Sequence, residues 1–230
     1  IGGNLALAQM GDIPKPAIHM THDVDAVRKT FPIRIKQSAF NLYKGIRALR
    51  QGDFDQVLPS FAHSIRFLIG RDNWWVFDFL LEIENRFAIS AIWHFYADPQ
   101  KKNLQSWLMD PGYSIEDPEL LLLMKRILQE GHKIGLHPGF NSWNSSHQIE
   151  LSRSMLIDSL GQNIDHCRQH WLRFSWIKTW EAQQLAGIRK DSTLMFNDRP
   201  GFRTSSALCW YPWDSTQHSR YKLKVLPTVI

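Results

Sequence analysis

Short apolar runs alternate along this chain with longer stretches in which apolar residues recur every three or four positions. The runs predict strands and the stretches predict helices. Residues 17–21 read as a strand. Helices follow at 33–50, 54–69 and 74–87, with Phe31-Pro32 and Arg71-Asp72-Asn73 as boundaries and Asp72 or Asn73 as an N-cap. Residues 89–96 are apolar enough for a buried strand. Pro118, after Asp117, opens a helix that runs to Gln129, and Gly131 ends it. A strand at 133–136 precedes a helix at 147–160 capped by Ser145 or Ser146. A strand at 165–171, a helix at 177–186 ended by Gly187 and a short strand at Ile188 complete the pattern.

Strands alternating with helices predict a parallel sheet, in which sites form at the C-terminal strand ends. Periodicity alone does not separate a barrel from a doubly wound sheet. At 230 residues, without repeat or linker, the chain reads as a single domain, 1–230. The three helices ahead of Ile89 exceed one crossover. They read as a helical insertion at about 33–87, serving as extra cover or as a surface for a protein partner.

Two of the predicted strand ends carry chemistry. Met20 to Asp25 reads MTHDVD and places Asp23 and Asp25 two residues apart, which in a strand puts both carboxylates on one face. Gly131 to Trp143 reads GHKIGLHPGFNSW and places His137 after the run Ile134 to Leu136. Asp, Asp and His converging from two strand ends make a site for a divalent metal and a general base.

These segments resemble the polysaccharide deacetylases, the NodB-like family of carbohydrate esterases. Thr21 to Asp25 look like a T-x-D-x-D variant of the family's T-F-D-D motif. Gly131 to His137 follow its G-H-E-I-G-x-H motif, whose second histidine is here Asn141. RQHWLRF, Arg168 to Phe174, is similar to the third motif, an arginine before Pro-Tyr. HDVD, GLHP, RQH-x-LR and GFR together are identified with a divergent branch. The likeness runs from about Ile18 to about Asp214. It implies a distorted (β/α) barrel with fewer than eight strands and a metal-dependent hydrolase. Such an enzyme removes an acyl group from the amide nitrogen of an amino sugar or polysaccharide.

Carried over residue by residue, the resemblance makes Asp23 the catalytic base, and Asp25 and His137 ligands to one divalent metal, expected to be zinc. Three outcomes stay open for the third ligand: Asn141 through its amide oxygen, His170 from RQHWLRF, or no tight metal binding. Arg168 is similar to the arginine that orients the catalytic Asp, with Arg173 as the alternative. The family's final Leu-x-His, which supplies a general acid, has no match after Asp214. Either the chain stops before it, or His170 takes the role, or the acid is missing. PGFRTSS, Pro200 to Ser206, offers Arg203 to a substrate carboxylate or hydroxyl. His19, His22, His94 and His132 read as structural.

Composition adds detail. Most of the ten tryptophans are core filler, and Trp143 and Trp171, close behind the two motifs, are the ones placed to line a sugar groove. The net charge of +5 is scattered, with no basic run of the kind nucleic acid needs, and reads as solubility and attraction to anionic glycans, while the resemblance implies a carbohydrate as the partner. No apolar run reaches membrane-spanning length. Cys167 and Cys209 make no disulfide framework, and a reduced, cytoplasmic setting is expected. The chain begins with Ile1, so the lack of a signal peptide says little about a longer protein. The alternative function is a catalytically impaired glycan-binding or interaction domain on the same fold.

Overall fold

The computed structural model describes residues 18–100 and 103–229. Its strands are Thr21–Val24 (β1), Ile92–Ala97 (β2), Lys133–Pro138 (β3), His166–Cys167 (β4), Lys190–Asp191 (β5), Trp213–Asp214 (β6), Ser219–Arg220 (β7) and Lys224–Val225 (β8). Six of them form one parallel sheet in the order β1-β2-β3-β4-β5-β8, and β6 and β7 pair separately as an antiparallel ribbon. The order never reverses, so there is no switch point of the doubly wound kind. It is the order of a (β/α) barrel wall. The sheet curls: Arg168, just after β4, bonds Asp23 on β1 at 2.9 Å. Three strand spacings of about 4.8 Å would hold these apart in a flat sheet.

The helices are Phe31–Gln51 (α1), Phe54–Ile69 (α2), Phe77–Arg86 (α3), Leu104–Met109 (α4), Pro118–Gln129 (α5), Ser146–Leu160 (α6) and Thr179–Leu185 (α7). α5 shows how sequence makes such an element. Asp117 accepts a bond from Glu119 N at 2.9 Å, and Pro118 sits in the first turn, where its missing N–H costs nothing. Leu120, Leu123, Met124 and Ile127 recur on one side and are buried against the sheet. Each contributes roughly 1.5–3 kcal/mol by leaving water. α1 and α2 form a hairpin that packs mainly on itself. No helix among the described residues is long and apolar enough to cross a membrane. Cys167 is a buried free thiol and Cys209 an exposed one.

Some boundaries move. The first strand is Thr21–Val24 and not 17–21, of which Ala17 lies outside the described residues. Ile18, His19 and Met20 are exposed, and the ladder to β2 begins at Met20 O, so backbone pairing and not the apolar run sets the strand. The expected strand at 165–171 closes after Cys167, because the chain turns into a 3₁₀ segment, His170–Leu172. α4 and the strands after Lys190 carry too short a pattern to be seen in sequence.

β2 is buried at every position, as a central parallel strand is on both faces. This includes His94, which lies beside Asp23 on one side and Gly135 on the other in the ladder. A Cβ on Gly135 would stand 2.5 Å from His94 Cδ2. Glycine is therefore required for the imidazole to fit. Gly135→Ala should cost roughly 1–3 kcal/mol by overpacking and displace His94 from Asp23. A urea melt with a crystal structure of the variant checks both. An unchanged melt would contradict the packing.

Candidate metal centre

Because the strands are parallel, their C-terminal ends share one rim, and β1, β3 and β4 deliver the polar residues there. Asp23 is inside β1 and Asp25 just beyond it. His137 is the penultimate residue of β3, and His170 follows β4 by three residues. Tyr113 fixes the end of β1: its hydroxyl donates to Val24 O and accepts from Tyr96 N, both at 2.7 Å.

His137 Nδ1 donates to Arg168 O at 2.7 Å, and His170 Nδ1 donates to Asp110 Oδ1 at 3.1 Å. Both acceptors are oxygens, so each Nδ1 carries a hydrogen and leaves Nε2 as the nitrogen that can ligate a metal. These two nitrogens face the same oxygen, Asp25 Oδ1, at 3.4 and 3.5 Å. The three ligand atoms lie within 4.8 Å of one another. One carboxylate and two imidazoles, each imidazole oriented by an outer hydrogen bond, suit a divalent transition metal with a coordination position left open. The residues present fit the metal.

Asp23 stands beside this group. Its Oδ1 accepts from Arg168 Nη1 at 2.9 Å and lies 3.3 Å from His94 Nδ1. Burial pushes its pKa up, but the contact with His94 and the charge of Arg168 outweigh that and hold it well below the usual carboxylate range. Arg168 is itself buried. Its Nη2 donates to Thr21 Oγ1 at 2.9 Å and its Nε to Ser192 at 3.2 Å.

The other residues singled out in the sequence lie further out. Asn141 is committed elsewhere: its Oδ1 accepts from Arg173 Nη1 and its Nδ2 donates to Gln105, each at 3.1 Å. Arg173 also donates to Phe140 O and lies over the rings of Phe140 and Trp143. It does not reach Asp23, and Trp143 is half-buried away from the cluster. Trp171 lines the cavity in front of the metal group, with Nε1 donating to Met109 O at 2.9 Å. Arg203 is exposed and reaches Leu172 O at 3.4 Å. Trp171 and Leu172 hold φ of 57° and 51°, a region that costs side-chain-bearing residues about 1–3 kcal/mol. This turn aims the His170 ring inward. Sequence reasoning missed Asp110 and Tyr113 and left His94 as structural. Asp110-Pro111-Gly112 reads only as a turn, so nothing in it signalled a partner for His170.

His94 gives the site a pH dependence. Burial lowers its pKa from 6.5 to about 4. Above pH 6.5 it is neutral in the folded and unfolded chain alike. Between 6.5 and 4 the unfolded chain takes up a proton that the folded protein refuses, so stability falls by up to about 1.4 kcal/mol per pH unit. Urea melts of metal-free protein at pH 7 and pH 5, compared with His94→Gln, should show a steeper loss in the parent.

No protein-family model matches the chain, and no curated protein matches it. Among solved structures, it is similar to a Mycobacterium smegmatis protein assigned as a polysaccharide deacetylase. That likeness has a TM-score of 0.50 and 17% identity and covers 94% of this chain and 61% of the other. The chain thus spans about three fifths of that structure's length. A second structure, a mutant of a CE4 family pseudoenzyme with restored enzymatic activity, aligns at TM-score 0.35 and 14% identity, over 75% of this chain and 43% of that one. By the first of these likenesses, the chain has the fold of the NodB-like polysaccharide deacetylases.

Proposed function

We propose that this protein is a metal-dependent hydrolase that removes an acyl group from the amide nitrogen of an amino sugar. The observation that carries the reading is the convergence of His137 Nε2, His170 Nε2 and Asp25 Oδ1, each histidine with its other nitrogen already used. In this reading His170 is the third ligand and Asn141 is not, since its amide is held by Arg173 and Gln105. Zinc is the ion that such a nitrogen-rich set favours.

A cation bound there supplies positive charge to the acyl carbonyl and lowers the pKa of attacking water. Asp23 then accepts the proton of that water. Its depressed pKa makes it a weak base towards ordinary water, so its role depends on water already made acidic. Arg168 keeps Asp23 ionised and fixes the carboxylate in place. Among the described residues lining the cavity the imidazoles are His137 and His170, both committed to the cation. The group positioned to return a proton to the leaving amine is therefore Asp23 itself.

A second reading, binding of an acylated sugar without turnover, is favoured by the cavity lining, which among the described residues has no imidazole beyond His137 and His170 to serve as a separate acid. Two measurements separate the readings. Protein purified without chelators should hold one zinc, and Asp25→Ala, His137→Ala and His170→Ala should each release it, whereas Asn141→Ala should not. Retention of stoichiometric zinc by His170→Ala would sink the ligand assignment. Asp23→Asn should keep the metal and slow hydrolysis of N-acetylglucosamine oligomers by roughly 10²-fold or more, the scale of general base catalysis. A parent protein that holds zinc and binds these sugars yet hydrolyses none points to the second reading.

A further inference from the structure

The α1–α2 hairpin is packed the reverse of a hairpin made for water, which would put large apolar residues between its helices. The buried residues of α1 are Ser38, Gly45 and Ala48, and α2 buries none. Ser38 Oγ donates to Ser64 O at 2.9 Å and Ser64 Oγ to Ser38 O at 2.7 Å. A Cβ on Gly45 would stand 3.3 Å from Phe61 and Ser60, so the backbones approach closely through small residues. Ile33 of α1 and Val57, Phe61 and Phe67 of α2 are half-buried, and the remaining large apolar side chains face outward. Phe54, Leu58 and Ile69 are 69, 77 and 68% exposed, and Tyr43, Ile46 and Leu49 on α1 are exposed too. Small residues and hydroxyl bonds inside, with large apolar residues outside, is how helices pack when lipid surrounds them.

Charge and shape point the same way. α1 carries five basic residues and no acidic one. Lys44, Arg47 and Arg50 are exposed and in no ion pair among the described residues. An apolar hairpin with a basic helix, too polar to span a bilayer, suits the surface of an anionic one.

The cavity in front of Asp25, His137 and His170 continues this surface. It measures about 970 Å³, near the top of the range of about 300–1,000 Å³ for small-molecule sites. Away from the metal group its wall is largely aliphatic and aromatic, with Ile33, Ile35 and Phe40 of α1 facing Trp107, Leu108 and Met195. Lys36 Nζ donates to Trp107 O at 2.7 Å and latches α1 onto α4, so this wall is built. Sugar hydroxyls would find few partners along it, and a hydrocarbon chain would fit.

We propose that the α1–α2 hairpin seats this protein on an anionic lipid surface. From there the cavity takes in the hydrocarbon chain of an amino-sugar amphiphile whose amide reaches Asp25, His137 and His170. The docking half stands on the packing alone, and the substrate half rests on the hydrolase reading. The chain is carried either by the acyl group or by the sugar's far end.

Flotation with vesicles of phosphatidylcholine, with and without phosphatidylglycerol, tests docking. The full chain should float with the anionic vesicles at least tenfold better than with neutral ones. Leu58→Asp combined with Ile65→Asp, neither of which lines the cavity, should abolish this while zinc content and circular dichroism stay unchanged. No flotation, flotation indifferent to the double variant, or a Leu58-dependent dimer or protein complex in its place would overturn the proposal. Tryptophan quenching by brominated-chain N-acylglucosamines and by brominated alkyl N-acetylglucosaminides tests the cavity, in metal-stripped protein so that catalysis plays no part. In one series affinity should rise about fourfold per methylene, the equivalent of about 0.8 kcal/mol, and Leu108→Asp or Ile35→Asp should flatten the rise. The series that responds tells which end carries the chain. Affinity independent of chain length in both series overturns the substrate half. A rise with chain length in a zinc-loaded protein that hydrolyses nothing overturns the hydrolase reading and leaves the cavity assignment standing.

Discussion

The buried guanidinium of Arg168 is the interaction on which the rest of the rim depends. Its side chain joins β4 to Thr21 and Asp23 on β1 and to Ser192 after β5. Its backbone N–H bonds Leu136 O, and its carbonyl takes the His137 hydrogen. One residue therefore holds the curl of the sheet, the charge of Asp23 and the Nδ1 hydrogen of His137. A buried arginine is costly unless its donors are satisfied, and the partners of Arg168 come from β1 and from Ser192, just after β5. Folding of the sheet and assembly of the site are in this sense the same event.

The second constraint is electrostatic. Asp23 is held as a carboxylate by its contact with His94 and the cation of Arg168, and His94 beneath it as a neutral imidazole chiefly by burial. Beside them, Asp25, His137 and His170 converge, each ring pinned from behind, by Arg168 O and by Asp110. Preorganisation of this kind makes a site ready for a cation before the cation arrives. The left-handed turn at Trp171 and Leu172 belongs to the same economy, strained backbone kept where it aims a side chain.

Against this rigid rim, the α1–α2 hairpin is a different kind of structure. It contributes little to the main core, shows its apolar residues outward and forms one wall of the cavity. In the proposed reading, the sheet supplies the reacting groups and the hairpin supplies access from a lipid surface.

The sequence by itself determined the alternation of strands and helices, because a period of two or of about 3.6 is a local property. It also picked out Asp23, Asp25 and His137, since each stands at the end of an apolar run, where a parallel sheet exposes its chemistry. The span 54–69 of α2 was legible to the residue, and α5 nearly so through its Asp117 and Pro118 cap. What the tertiary structure decided is who meets whom. The sequence left Asn141 and His170 both open as third partners, and only the turn after β4 brought His170 to Asp25 while Arg173 drew Asn141 away. Asp110 and Tyr113 could not be foreseen, because their partners lie far along the chain and no local pattern encodes a bond across a fold. The hairpin's helices were visible from their periodicity, but not that they would put small residues inside, since a period tells that a helix has two faces and only packing tells which one is buried.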